Sequence, residues 1–313
     1  MMPPIENLIF EFGSLLIGAV VLVYLWTQTN KFHFVGFFAA MAMTFVVEAT
    51  GVRETSSYYY GDFVIWIPTF TWSGFLTKVP LFVPVCWAII MFCFFRLDER
   101  LVELKWYARG LVFALIAVMF DLGLDPIAST SRLVAEVGAP CHSSLPPGSA
   151  VGDGFWTWCI APQQATQLWL GVPLANFYAW FFVIAVFYYF YSWAYKQSGG
   201  APLATQVLTL AGAVFLSLLV FFVMLVYFLM QGAPGWVVLS FFIAVGLVAL
   251  AMAGAVRVPK TFDGWSLIAA VSITLLGTGT WLLRLTAHPE LILWGGAFFL
   301  VSIGLTYWVM RGN

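Results

Sequence analysis

The sequence predicts an all-α fold, a polytopic membrane helix bundle of about nine transmembrane helices (eight to ten), N-terminus out and C-terminus in. Three observations predict it. The 313 residues are 62% hydrophobic, 19% aromatic and only 9% charged, more apolar surface than one water-soluble core can enclose. Apolar runs of about 20 residues, the length that crosses a bilayer, recur along the chain. Lys and Arg divide unevenly between the loops that would join those runs.

The spans read at 8–26, 33–50, 79–95, 106–124, 170–194, 203–230, 234–256, 265–284 and 290–310. The segment 62–76, with Pro68, Thr69, Thr71, Ser73 and Gly74, is too short and polar for a tenth, and reads as a re-entrant or interfacial piece. Residues 1–7 lack the positive n-region of a secretory signal, so the first run is expected to stay as a helix. With the N-terminus out, the inner side collects Lys31, Arg96, Arg100, Lys105, Arg109, Lys196, Arg257, Lys260 and Arg311, and the outer side keeps Arg53, Lys78, Arg132 and Arg284. The excess marks the cytoplasmic side. The chain reads as one membrane domain, 1–313, in the inner (cytoplasmic) membrane of a prokaryote, with an extracytoplasmic loop at 126–165.

The net charge of -1 gives no basic footprint for nucleic acid and no polybasic patch for lipid headgroups. Four cysteines without a CxxC pair, and His33, His142 and His288 without helical pairing, supply no metal-ligand set and argue against a bis-histidine haem. Neither metal nor cofactor is expected. Cys86 and Cys93 read as small core residues. Cys141 and Cys159 flank the polar loop, and a disulfide between them is open if that loop faces an oxidising compartment.

Ionisable groups inside apolar runs point to function. Asp121 and Asp125 stand one helical turn apart at the end of the fourth run, and Pro126 disfavours helix at the residue before it. Asp121 is expected as the buried acid of the two. Asp125 reads as a rim carboxylate leaving the helical register, or simply as the helix terminator. Glu48 is either a boundary carboxylate paired with Arg53 or a second buried acid. In the topology above, these acids share the outer half of the membrane with Tyr58, Tyr60 and Asn176, whose amide would bond a neighbouring helix or orient a carboxylate or water. Trp87 and Trp158 belong to an interfacial aromatic belt unless they face the acids, where their π-faces would stabilise a cation. Glu11 is expected to snorkel to the outer interface. Of the 14 acidic residues only Asp263 and Glu290 fall after residue 200, so 200–313 reads as helical scaffold.

Six pieces in order are Glu48 with Gly51, YYYG at 58–61, VPLFVPVCW at 79–87, DLGLDP at 121–126, FWTW at 155–158 and GVPLANFYAW at 171–180. Together they resemble the integral-membrane carotenoid biosynthesis family, which includes carotenoid 1',2'-hydratases and bisanhydrobacterioruberin hydratases. The resemblance covers about 45–185, which would be the catalytic part. A longer polar insert at 129–154, Tyr178-Ala179 in place of Leu-Gly, and 53–57 in place of a Gly-rich lead depart from the family pattern.

The resemblance implies a cofactor-independent carotenoid hydratase that adds water to the terminal C1=C2 double bond of an acyclic or half-acyclic carotenoid. Asp121 would be the acid, with Asp125 or Glu48 positioning water. Tyr58, Tyr60, Trp87, Trp158 and Asn176 would line the substrate site. Membrane lipid, partner carotenoid enzymes or further copies of the chain are the expected neighbours. The competing reading is a non-catalytic carotenoid- or lipid-binding subunit of a membrane complex. An isoprenoid-phosphate transferase has thin support from two Asp residues with only Arg132 nearby, and a transporter would call for broken-helix repeats that are not visible.

Overall fold

The computed structural model describes residues 3–53, 58–70, 76–96, 104–134, 155–162, 166–230 and 234–254, with isolated positions between 279 and 304. Among them are seven helices: α1 (Ile5–Gln28), α2 (Lys31–Arg53), α3 (Phe82–Arg96), α4 (Trp106–Ala128), α5 (Leu174–Ser198), α6 (Leu203–Met230) and α7 (Gly235–Gly254). All but α3 are long and apolar enough to cross a membrane, as a membrane helix bundle requires. The expected spans at 265–284 and 290–310 lie outside the described residues apart from isolated positions.

A helix that is apolar on every side belongs inside a bundle, and α4 is that helix. Seven consecutive residues, Val112 to Val118, are at most 1% exposed. It packs against α5 and α7, α5 against α6, α2 against α3 and α6, and α1 against α3. The outer faces of α1, α6 and α7 expose Leu16, Val20, Phe215, Leu219, Phe241 and Val248, the side chains a lipid-facing wall presents.

Short strands depart from the all-α expectation and gather where α2 and α4 end and α3 and α5 begin. β1 (Tyr58–Tyr60), β5 (Trp156–Ile160) and β4 (Ser129–Leu133) form a sheet in the order β1-β5-β4. β2 (Trp66–Phe70) and β3 (Leu76–Pro80) pair antiparallel, as do β6 (Leu168–Trp169) and β7 (Val172–Pro173). The segment 62–76, expected as a re-entrant or interfacial piece, thus contributes a strand to a β-ribbon. Its Thr and β-branched residues suit a pleated surface, and Ile67 pairs with Val79 across the ribbon. α3 and α5 accordingly start later than the sequence suggests, at Phe82 and Leu174, each shortly after a proline-containing strand.

The proline at 126 does not end α4. Proline takes away the N–H that would bond the carbonyl four residues earlier, here that of Leu122. The indole Nε1 of Trp169 donates to that carbonyl at 3.3 Å instead, and the helix runs on to Ala128. Asp125 therefore keeps its register, on the same face as Asp121.

Candidate active site

Three acids from two helices meet around one pocket, a cavity of about 90 Å³. Glu48, Asp121 and Asp125 are 8%, 1% and 2% exposed. Asp125 is therefore not a rim carboxylate, and Glu48 is enclosed by the protein and not solvated at an interface. All eight residues singled out from the sequence line this pocket: the three acids with Tyr58, Tyr60, Trp87, Trp158 and Asn176.

The sheet explains how aromatics from distant parts of the chain reach the acids. β1 pairs antiparallel with β5, so Tyr58 stands opposite Trp158 and Tyr60 opposite Trp156. Residues directly opposite share a face, and those two apart on a strand do as well. All four side chains therefore turn to the pocket, while Tyr59 and Cys159 lie in a separate small cluster. Cys159 is disulfide-bonded; Cys141, the partner the sequence suggests, lies outside the described residues.

Each acid has its own set of donors. The phenols of Tyr58 and Tyr60 both donate to Glu48 Oε2, Tyr60 at 2.5 Å, and Trp87 Nε1 donates to Oε1 at 2.6 Å. Gly51 leaves the space for this, because a Cβ there would lie 2.8 Å from the Tyr58 ring. Burial, and then the Glu48 carboxyl beside them, hold both phenols well above the usual tyrosine pKa. Trp156 and Trp158 donate to Asp125 Oδ1 at 2.6 and 3.3 Å. Asn176, in the first turn of α5, donates to Asp121 Oδ2 at 2.7 Å and to Asp125 Oδ2 at 2.6 Å. Asp121 Oδ1 is buried with no hydrogen-bond partner among the described residues.

Sequence reasoning missed several contributors. Trp156 follows from the strand alternation once Trp158 is chosen. Trp180 stacks on Trp87 with ring centroids 3.9 Å apart, one helical turn beyond Asn176. Thr280, fully buried, also lines the pocket, so the part of the chain after residue 200 is not scaffold alone; nothing in its local sequence marks it. Glu11 does not snorkel. It is completely buried and accepts the backbone N–H groups of Val64 and Ile65 at 2.8 and 2.7 Å, while Asn7 donates to the carbonyl of Asp62. Together they tie the start of α1 to the loop before β2.

Among the described residues no group of three His, Cys, Asp or Glu side chains has the arrangement to hold a metal ion. What the arrangement offers chemically is a buried carboxyl with one unpartnered oxygen, on a residue that lines an apolar, aromatic-walled space, with two further carboxyls nearby. Comparisons with protein-family models, curated proteins and solved structures returned no match.

Proposed function

We propose that the chain is a carotenoid hydratase that protonates the terminal C1=C2 double bond of an acyclic or half-acyclic carotenoid and captures the resulting tertiary cation with water. The observation that carries this reading is Asp121, which lines an apolar pocket and whose buried Oδ1 has no hydrogen-bond partner among the described residues. Protonating an alkene calls for such a group, since a neutral acid with no competing acceptor directs its proton at the substrate. The aromatic side chains of Trp87, Trp158, Trp180 and Tyr58 line the same space, and aromatic rings beside a cation favour positive charge. Asp125 supplies negative charge beside it. The likeness of the six sequence pieces to the carotenoid biosynthesis family points to the same chemistry.

In this reading the chain lies in a prokaryotic inner membrane with about nine spans, N-terminus out, and the pocket sits in the outer half. The helix ends opposite the pocket carry Lys31, Arg96, Lys105, Arg109 and Lys196, the distribution a cytoplasmic face has. The test is expression in a lycopene-producing bacterium. A product heavier by one water is expected, and it is lost in Asp121→Asn. No product from any of several acyclic carotenoids, with pigment still co-purifying unchanged, would favour a binding subunit.

A further inference from the structure

We infer that the proton transferred to the substrate is that of Asp121, and that Asp125 is a fixed anion facing the cation and not a base that activates water. The inference rests on the hydration reading above and assigns roles within it. The donor inventory separates the two aspartates. Asp125 receives three donors, two indoles on Oδ1 and the Asn176 amide on Oδ2, whereas Glu48 Oε2 faces only phenols, which accept as well as donate. Indole and side-chain amide N–H groups can only donate, so the oxygens they face must accept. A carboxyl with both oxygens filled in this way is held as an acceptor-only anion. Asp121 receives one donor, on Oδ2, and its other oxygen is buried and unpartnered among the described residues. Asp121 lines the pocket, and a carboxylate with one oxygen buried and unpartnered is poorly solvated, which favours the acid form.

The chemistry balances with Asp121 alone. The alkene π pair forms a C–H bond to the Asp121 proton at the less substituted carbon, and the O–H electron pair stays on Oδ1. A water lone pair then forms the C–O bond at the tertiary carbon. The resulting alkyloxonium is a strong acid, and its proton passes to Asp121 Oδ1, restoring the starting state. The sum is alkene plus water to tertiary alcohol. A tertiary cation captures neutral water, so no base has to act on water first. Negative charge at Asp125 is then useful where positive charge develops, before water arrives.

The test is run on membranes containing the full chain, in D2O, with an acyclic carotenoid as probe. Mass spectrometry follows the hydrated product and, separately, unhydrated carotenoid that has exchanged hydrogen for deuterium in its end group. Exchange occurs when the cation loses a proton in place of capturing water. In Asp125→Asn, hydration and exchange are expected to fall together, each by about 10²-fold, and in Asp121→Asn both disappear. If Asp125→Asn loses hydration while exchange persists or rises, that acid serves water and the inference is wrong. It is equally wrong if Asp121→Asn still exchanges. Wild-type protein giving neither product nor exchange overturns the hydration reading itself and the inference with it. Where an amide variant does not fold, Trp156→Phe carries the test, since it removes the closest donor to Asp125 Oδ1 and the two signals should again fall in parallel.

Discussion

One nitrogen of Asn176 stands 2.7 Å from Asp121 Oδ2 and 2.6 Å from Asp125 Oδ2, so a single amide in α5 bridges the two carboxyls that α4 sets one turn apart. Asn176→Leu keeps the volume and removes both donors. A hydrogen bond to a charged carboxylate contributes about 1.5–3 kcal/mol and one to a neutral carboxyl about 0.5–1.5 kcal/mol, so the variant should lose about 2–4 kcal/mol. Thermal unfolding in detergent measures this, and an unchanged unfolding temperature would mean that the amide does not hold the pair.

Trp169 and Pro126 should be coupled. Trp169→Phe leaves the Leu122 carbonyl without its indole donor, a loss of about 1–3 kcal/mol. Pro126→Ala restores a backbone N–H to the same carbonyl, and in that background Trp169→Phe should cost less. A double-mutant cycle isolates the shared carbonyl from any other contact of the indole, with a coupling of about 1 kcal/mol expected. Additive losses would show that the indole does not replace the missing amide.

Gly51→Ala places a methyl group 2.8 Å from the Tyr58 ring and 3.0 Å from its hydroxyl. The ring must move, and its phenol leaves Glu48. Hydration should fall about 10-fold or more in Gly51→Ala, in Tyr58→Phe and in the double variant alike, because all three lose the same hydrogen bond. A double variant far worse than either single one would assign Gly51 a separate role.

Tyr58 and Tyr60 give a pH prediction whose sign is fixed by burial. Their folded pKa values lie well above the ordinary one, so the folded chain holds these protons more tightly than the unfolded chain does. The stability this contributes is fully present below the ordinary tyrosine value of about 10 and is lost as pH rises above it toward the raised values. The difference in tyrosinate absorbance between wild type and the Tyr58→Phe, Tyr60→Phe double variant should therefore stay flat through pH about 10. A signal appearing at the ordinary pH would mean that both phenols are open to water.

Helix positions are legible in the sequence because long apolar runs have few alternatives in a membrane. The 203–230 run and α6 coincide. Asp121, Asp125 and Glu48 stand out because charge is rare in such runs, and the aromatics near them are visible as motifs. Short-range signals mislead at two places. Pro126 has the local signature of a stop, and only a tryptophan 43 positions away supplies the donor that carries α4 past it. Asp125 has the signature of a rim group for the same reason, whereas the continued helix keeps it beside Asp121. The pairing of β1 with β5 spans about a hundred residues of chain, and no local pattern announces it. Thr280 is likewise beyond sequence reasoning, since its place in the pocket depends on how distant segments pack.

That long-range β1–β5 pairing also orders the making of the protein. A chain emerges N-terminus first, so Glu48 is made before Trp87, and Asp121 and Asp125 before Trp156, Trp158 and Asn176. Each acid meets these donors only when later chain arrives. The early helices are therefore hostage to later synthesis: a ribosome that stops after α4 leaves Asp121 and Asp125 with none of the side chains that bond them.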